Sequence, residues 1–472
     1  MDNTSSTPKH DLGVSTASAP KHKLTFSEKT GYGMVNMAVN LIFNVVSTYL
    51  LFFYTNVFGL KPADSAFMFL IVKLVDAIGN PLWGTYVDKH TTKYGKYRGY
   101  LLYLAIPYAF FSIITFITPD TTYVLKLAYA YTTYVCLSLL NVGLCINGAL
   151  PAAMTRDSDE IAVLNSYSLF FSNTGGVLVS FCVPLCVTAI SGSYSGPNSQ
   201  IGWTLTMGIF AILGLFGLLY GFKTVREHYH MSSEETSEVQ MKDILVQARV
   251  NKPFVLIFIY MVLAFVFMTM VNSAGSYYVT YNMGMPKMLK YFNVLGTLPS
   301  FLIVPLMPWM KKKMGRKGMM HTFSIILIAG LMVMYLCDPH NVTLIMLGKL
   351  LASLGMIVTT GYMWSFVPEI TNYGEWKTGK RENGIISSIY QFAVAVGMAI
   401  GGVIPGYVLQ IVGFNAKLTT QSAMALNGIG LIMSVIPSIL IVISMIVMQM
   451  YPITDKLMDQ MNQEIDARKA SK

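Results

Sequence analysis

Hydrophobic residues gather along this chain into long runs separated by short polar stretches. Each run holds roughly 20 or more mostly apolar residues, which is the length that a helix needs to cross a bilayer. The pattern therefore predicts an all-α membrane protein with twelve transmembrane helices. The predicted spans, numbered 1 to 12, are 31–58, 64–87, 99–117, 122–148, 163–190, 201–221, 253–281, 288–309, 318–337, 341–366, 383–413 and 421–450.

The longest polar stretch between two runs divides the spans into two groups of six. The predicted organisation is a tail at 1–28, a first half at 29–221, a linker at 222–252, a second half at 253–450 and a tail at 451–472. The stretch "GTYVDKHTTKYGKYRG" follows span 2, and "PWMKKKMGRKGMM" follows span 8, the second span of the second half. Two six-helix halves in the same orientation predict the major facilitator fold, in which substrate binds near the midplane and the halves rock around it.

Charge is sparse and asymmetric. Only 12% of residues are charged, and the net charge is +10, whereas a typical soluble domain is about 25% charged. Twelve spans put both termini on one side, and that side holds 26 of the 33 Lys and Arg against 5 on the other. Because basic residues mark cytoplasmic loops, we expect a plasma-membrane protein with both termini in the cytoplasm. Topology explains the basic balance, so no nucleic-acid partner is expected.

Span 2 contains an acidic residue where carboxylates are costly. Lys73, Asp76 and Asn80 fall at i−3, i and i+4, on one helix face near mid-membrane. Ionisable residues inside spans commonly mark ion or proton pathways. We interpret the three residues as a cation or proton coupling site. The alternative is a structural Lys73–Asp76 ion pair, although buried ion pairs are a poor source of stability.

Neutral hydrogen-bonding residues recur in other spans. Asn36, Asn40 and Asn44 form a stripe on span 1, and amides both donate and accept, as sugar hydroxyls do. The predicted substrate-binding residues are Asn36, Asn40, Asn44, Asn165, Ser168, Asn272, Tyr277 and Gln391. Hydrogen bonding between helices is the alternative role for each. The expected partners are a small-molecule sugar and the bilayer, in a monomer or weak homo-oligomer.

No motif supports enzyme chemistry. HExxH, GxSxG and P-loop patterns do not occur in the sequence. Cys182 and Cys186 have no companion ligands, so no metal is expected. We therefore predict a transporter that is not an enzyme, that has no cofactor apart from H⁺ or Na⁺ as coupling ion, and that is driven by a gradient or works passively.

Several segments resemble one transporter family. They are "YGMVNMAVNLIFNVVSTYLLFFYTNVFGL", "VDAIGNPLWG", "KYGKYRG", "LNSYSLFF" and "NYGEWKTGKRENG". The chain is similar over roughly 30–450 to the glycoside–pentoside–hexuronide:cation symporters of the major facilitator superfamily, which include the melibiose carrier and the lactose permeases of lactic acid bacteria. The resemblance implies that a sugar moves together with Na⁺ or H⁺ by alternating access.

The chain departs from the family pattern at charged positions. The family's first cation-ligand Asp corresponds to Asp76, whereas its second Asp corresponds to Asn80, which favours H⁺ over Na⁺. An Arg of the family is replaced by Ser168, and a Lys by Val396. With so few cations in the spans, a neutral sugar is favoured. Lys349 in span 10 either extends to the membrane interface or has a function.

Two basic loops are predicted inner-gate latches. In the first, Asp88 pairs with Lys89 and Arg98 in one gate state. The second comprises Glu369, Lys377 and Arg381. Simple positive-inside anchoring is the alternative. The sequence thus predicts import of a sugar or glycoside by cation symport. The alternatives are an uncoupled sugar facilitator or exchanger on the same fold, a carrier of another amphiphilic solute, or a non-transporting receptor.

Overall fold

Helices make up almost all of the regular structure in the part of the chain that the computed structural model describes. The described residues are 23–145, 148, 150–155, 157–195, 199–229, 249–378, 383–416, 418, 420–453 and 455–470. Most of the predicted N-terminal tail and of the predicted linker lies outside these residues.

The first half carries spans 1 to 6 on six long helices and one short one. They are α1 (Phe26–Phe53), α2 (Pro62–Lys89), α3 (Arg98–Ile114), α4 (Tyr123–Leu144), α5 (Leu150–Met154), α6 (Ser158–Ser191) and α7 (Gln200–Thr224). A π-helical turn, Tyr54–Phe58, continues α1.

The second half carries spans 7 to 12, followed by a terminal helix. Its helices are α8 (Lys252–Tyr277), α9 (Leu289–Thr297), α10 (Ser300–Leu336), α11 (Val342–Tyr362), α12 (Phe366–Thr378), α13 (Asn383–Ile411), α14 (Ala423–Gly430), α15 (Ile436–Gln449) and α16 (Asp455–Ala470). Further π-helical turns, Tyr278–Asn282 and Leu431–Val435, continue α8 and join α14 to α15.

The twelve predicted spans correspond to these helices, which confirms the predicted fold class. Within the described ranges, ten helical segments are long and apolar enough to cross a membrane. One of them, Pro286–Leu336, is 51 residues long and contains both span 8 and span 9. It is interrupted at Gly315, whose φ of 70° lies in the left-handed region that glycine adopts at little cost. Span 3 lies on α3, which has 17 residues.

The first helix begins earlier than the hydrophobic pattern predicts. Span 1 was expected from residue 31, whereas α1 begins at Phe26. The Thr25 hydroxyl accepts a hydrogen bond from the Glu28 backbone N–H at 3.3 Å, and the Glu28 carboxylate accepts one from the Thr25 N–H at 2.8 Å. This capping box satisfies two backbone donors and starts the helix one turn outside the apolar run.

The two halves pack together mainly through α1 with α8, α2 with α13, and α6 with α9. Gly406 of α13 makes a close approach to α2. A Cβ at that position would lie 2.6 Å from the Pro62 carbonyl oxygen and 2.5 Å from the Ala66 side chain. The missing side chain therefore lets α2 and α13 touch near the ends of both helices that lie away from the chain termini.

Between residues that the structure describes, three hydrogen bonds join the halves. The Tyr277 and Thr55 hydroxyls are 2.6 Å apart, the Tyr281 hydroxyl donates to Asn56, and the Asn293 amide donates to the Tyr49 hydroxyl at 2.8 Å. All of these residues lie in the part of their helices away from the chain termini. We call this closed side the distal face, and the side that carries the chain termini the terminal face.

On the terminal face, described residues bond within their own half. Glu227, just after α7, accepts backbone N–H bonds from Lys96, Tyr97 and Arg98 at 2.7, 2.7 and 2.6 Å, and so caps α3. In the second half, the Trp376 indole donates to Glu464 at 2.6 Å and docks α16 on α12. That hydrogen bond holds the pKa of Glu464 below its ordinary value.

Candidate functional site

The larger of two central cavities lies where the halves meet. It has a volume of about 190 Å³ and is lined by α1, α2, α3 and α4 of the first half and by α8 and α13 of the second. Its polar lining residues are Asn44, Ser47, Lys73, Tyr108, Tyr134, Ser138, Asn141, Thr269, Asn272 and Ser273. Amides, hydroxyls and aromatic rings together can bind a polyhydroxylated molecule, because sugar hydroxyls both donate and accept hydrogen bonds. We call this space the first cavity.

A smaller cavity of about 70 Å³ continues toward α9 and α11. Asn44 and Asn272 line both cavities, so the two spaces share a wall of two amides. The other polar lining residues of this second cavity are Thr48, Ser180, Asn293, Thr297, Lys349 and Ser353. The pair therefore forms a two-compartment site between the halves.

Lys73, which lines the first cavity, forms an ion pair with Asp76 of the same helix. Lys73 Nζ lies 2.8 Å from Asp76 Oδ2, and the Ser138 hydroxyl of α4 donates to Asp76 Oδ1 at 2.6 Å. Asp76 is 6% exposed, while the Lys73 side chain keeps 18% of its surface. Both carboxylate oxygens are thus satisfied inside the membrane region, and the pair is electrically neutral. The structure brings the predicted Lys73 and Asp76 together as the helical spacing requires.

Asn80 is placed differently from the prediction. Its amide donates to the backbone oxygen of Asp76 at 2.9 Å, and its side chain is exposed. The spacing i, i+4 that suggested a ligand also suits a bond to the helix backbone one turn earlier. The partner that the carboxylate has on a neighbouring helix is Ser138, so the predicted trio is better described as Lys73, Asp76 and Ser138.

The asparagine stripe of α1 only partly lines the site. Asn44 borders both cavities. The Asn40 amide donates to the Ser172 hydroxyl of α6 at 3.1 Å, and the Asn36 amide donates to the Tyr32 carbonyl at 2.9 Å. Asn36 and Asn40 line neither cavity, and in this conformation they bond the helix backbone, with Asn40 also joining α1 to α6.

Four other predicted substrate residues lie outside both cavities. Asn165 and Gln391 are exposed, and Ser168 is half-buried. Tyr277 is buried and bonded to Thr55, so the structure places it in the distal closure rather than in the binding space. Among the second-half predictions, Asn272 lines both cavities.

The predicted inner-gate residues make local contacts. The Arg98 guanidinium donates to the Phe222 carbonyl at 2.7 Å and lies 4.7 Å from the centre of the Phe222 ring. The predicted partner of Arg98 was Asp88, whose side chain lies outside the described part, as does all of Arg381. Lys89 is exposed on the last turn of α2. The segment after α7, which the sequence did not single out, instead binds this loop through Glu227.

The residues of the second predicted latch also contact residues of their own half. Glu369 forms an ion pair with Arg316 and accepts a hydrogen bond from Tyr451 at 3.3 Å. Lys377 lies 3.9 Å from the centre of the Trp376 ring. These contacts link α10, α12 and the end of α15, and none of them crosses to the first half.

Sequence reasoning missed several lining residues. Ser138 lies three residues before Asn141 on α4, and Tyr108 of α3 donates to the Asn141 amide oxygen at 2.9 Å. The i, i+3 spacing on span 4 is a detectable signal for Ser138. Asn293 has no such local signal, because its importance depends on the packing of α9 against the first half.

The chain is similar in sequence to known membrane transporters. The family described as "MFS/sugar transport protein" matches residues 31–455. The chain is 39% identical to the uncharacterized symporter YnaJ of Bacillus subtilis (strain 168), covering 94% of this chain and 96% of that protein. It is 30% identical to the isoprimeverose transporter of Lactiplantibacillus pentosus, covering 98% and 96%.

The fold is shared with solved transporters at low identity. The crystal structure of a mutant of the nucleoside transporter NupG superimposes with a TM-score of 0.67 at 12% identity, covering 89% of this chain and 99% of that one. The family match and the two relatives cover nearly the whole chain, and two six-helix halves enclose a site lined by amides and hydroxyls. The chain belongs to the glycoside–pentoside–hexuronide:cation symporter family of the major facilitator superfamily.

Proposed function

We propose that this protein imports a sugar or glycoside by proton symport, with Asp76 as the group that takes up the coupling proton. The observation that carries the proposal is the ion pair that Asp76 makes with Lys73, a lining residue of the cavity that both halves form. Protonation of Asp76 would remove its charge and release Lys73, so the proton changes the charge of the wall against which the sugar sits.

The same geometry favours H⁺ over Na⁺. A sodium ion needs several oxygen ligands, and the carboxylate here already binds an ammonium group and one hydroxyl. Asn80, the second position of the family motif, uses its amide on the helix backbone. A proton needs only one oxygen of Asp76, whereas Na⁺ would have to displace Lys73 and recruit further ligands.

The packing of the halves supports alternating access. Cross-half hydrogen bonds between described residues lie toward the distal face. The terminal face carries the basic loops, which the positive-inside rule assigns to the cytoplasm. We infer an inward-open conformation, in which rocking of the halves must break the Tyr277–Thr55 bond to expose the site to the outside.

The test uses the purified chain in proteoliposomes with an imposed inward pH gradient and radiolabelled sugars. We expect Asp76→Asn to abolish accumulation above equilibrium, while exchange at equal concentrations persists because the cavity keeps its shape. Asp64→Asn is the matched control on the same helix, since Asp64 lies at its distal end and bonds Tyr123. Uphill uptake that survives in Asp76→Asn, or wild-type flux that ignores every gradient, contradicts the proposal; the second result indicates the uncoupled facilitator.

A further inference from the structure

We propose that the second half carries a binding site for an anionic phospholipid, in a groove between α10 and α15 that opens to the membrane at the terminal face. The positive-inside rule assigns this face to the cytoplasm, so the lipid belongs to the cytoplasmic leaflet. The groove shares no lining residue with either central cavity. The site concerns the lipid around the transporter and not its substrate, so it goes beyond the proposed function.

The groove has a volume of about 440 Å³. One wall is α15, and the other is the part of α10 after the break at Gly315, which we call the second limb of α10. The lining residues are His321, Ile325, Ile328, Val442, Met445, Ile446 and Gln449. On each helix they recur every three or four residues and so share one face. Ile325, Val442 and Ile446 are 57%, 46% and 58% exposed, so no other part of the described chain fills the groove.

The polar residues of the groove lie together at one end. His321 follows Gly315 by six residues and Gln449 is the last residue of α15, so both lie toward the terminal face. The other lining residues are Ile, Val and Met. From His321 to Ile328 a helix rises about 10 Å, which is most of the apolar thickness of one leaflet. A groove with one polar end and an apolar remainder fits an amphiphile whose head points to the terminal face.

A tryptophan on the first part of α10 marks the level of the polar end. Trp309 precedes Gly315 by as many residues as His321 follows it, and the chain runs toward the terminal face before the break and away from it afterwards. Trp309 is 60% exposed, and Lys313 Nζ lies 5.4 Å from the centre of its ring. Exposed tryptophan beside lysine is typical of the membrane–water interface. The polar end of the groove therefore meets the headgroup layer.

Hydrogen-bond donors gather at the polar end. The Lys317 ammonium donates to the Gln449 carbonyl at 3.0 Å, and His321 Nε2 lies 3.0 Å from the Gln449 side-chain oxygen. An ammonium group has several N–H donors and an amide nitrogen carries two, so Lys317 and Gln449 keep donors for a phosphate group after these contacts. The Lys317 bond also caps the last turn of α15, a structural role that the experiment must separate from lipid binding.

The charge around this end is positive. The lysines at 311–313 are exposed on the turn before Gly315. Neither 300–336 nor 421–453 contains an Asp or Glu, so the two helices that form the groove bring no negative charge to it. Basic clusters on the cytoplasmic side of a span attract anionic lipids. A zwitterionic headgroup would bring a second cation to a site that is already cationic, so a net negative headgroup is the better complement.

The experiment measures which phospholipid the purified full chain retains. Delipidated protein in a neutral detergent is mixed with equal amounts of dioleoyl phosphatidylglycerol and dioleoyl phosphatidylcholine, which share their acyl chains and differ in headgroup charge. Native mass spectrometry then counts the bound lipids. We expect the most tightly retained lipid to be phosphatidylglycerol, preferred by about tenfold or more. Lys317→Gln should lower phosphatidylglycerol binding by about tenfold and phosphatidylcholine binding by less than about twofold, as expected for loss of one charge-assisted contact.

Three further variants separate the head of the site from its groove and from its surroundings. Ile446→Trp fills the apolar part and leaves Lys317 in place, so retention of both lipids should fall. Lys317→Arg keeps the charge and should keep the preference for phosphatidylglycerol. Lys313→Gln is the matched control, because it removes a lysine of the same loop that lies over Trp309 and does not line the groove. Its phosphatidylglycerol binding should stay within about twofold of wild type.

Equal retention of the two lipids by wild type overturns the inference. An equal loss of phosphatidylglycerol in Lys313→Gln and Lys317→Gln also overturns it, because the general basic charge of the face would then account for binding. Unchanged retention in Ile446→Trp would mean that the groove holds no acyl chain. Thermal unfolding of Lys317→Gln without lipid measures the cap on α15 separately. No sugar and no ion gradient is used, so the result is independent of the proposed transport function.

Discussion

The two halves of this protein each contain a lysine inside a span, and the two lysines have opposite surroundings. Lys73 in the first half lies 2.8 Å from the Asp76 carboxylate, which Ser138 also binds. Lys349 in the second half lies beside an aromatic ring and a glycine, on helices of that half that contain no acidic residue. Both lysines line one central space that two shared amides divide. The fold is repeated in the two halves, but the chemistry is not.

The contrast separates two ways of stabilising charge in a membrane. A lysine paired with a carboxylate needs nothing from outside, and a proton can disrupt the pair. A lysine without a counter-ion is less costly where it faces a polar cavity, and Lys349 lines such a cavity. The two compartments therefore differ in how their lysine is stabilised, although both are lined by neutral polar residues.

The largest effect on stability is expected when each lysine is replaced in turn. Lys73→Met leaves the Asp76 carboxylate buried with only Ser138, and we expect the free energy of unfolding to fall by about 3 kcal/mol, since breaking a buried pair leaves an uncompensated charge. Lys349→Met removes a charge that already lacks a partner, so stability should rise. Thermal unfolding of both variants in detergent, without substrate, measures the difference.

The control for this experiment is the double variant Lys73→Met/Asp76→Asn, which removes both charges and should recover most of the loss. If Lys349→Met destabilises the protein as much as Lys73→Met does, then Lys349 has a partner in the fold and the contrast between the cavities is lost.

An intermediate effect is expected from giving Lys349 a counter-ion. Gly296→Asp places a carboxylate next to Nζ, because the Cβ position is only 3.5 Å away. We expect the free energy of unfolding to rise by about 2 kcal/mol, since the buried ammonium group gains a counter-ion. Thermal unfolding in detergent measures the change. Gly296→Asn has the same size without the charge, and an equal change in that variant would show that the new carboxylate is not the cause.

The smallest effect on stability is expected when one serine in each cavity is replaced by alanine. Ser138→Ala removes a hydrogen bond to a buried carboxylate at 2.6 Å, and we expect a loss of about 1–2 kcal/mol of stability. Ser353→Ala removes a hydroxyl that donates to the Lys349 backbone oxygen of its own helix at 2.7 Å, and should cost less than about 0.5 kcal/mol. Chemical unfolding in detergent resolves the two values. Equal losses would mean that the Ser138 bond does not serve the charge.

The sequence pattern is sufficient to predict a contact when both residues lie on the same helix. The spacing of Lys73 and Asp76 predicts their contact, because residues three apart share a helix face. For Asn80, Asn36 and Tyr277, the structure shows partners that the same reasoning did not predict. The two asparagines donate to backbone oxygens one turn earlier, and the tyrosine bonds a threonine of the other half. A polar residue on an apolar helix has several possible partners, and spacing alone does not choose among them.

By itself, the sequence determined twelve spans, two halves and the family, because the cost of exposing polar backbone to lipid forces long apolar helices and leaves their pattern visible. Only the tertiary structure decided which polar side chains meet. Ser138 reaches Asp76 from α4, and Lys349 is enclosed by helix segments without acids because α9 and α11 pack against each other. Whether a charge inside the membrane is paired depends on neighbours far away in the chain, and those neighbours are fixed by packing.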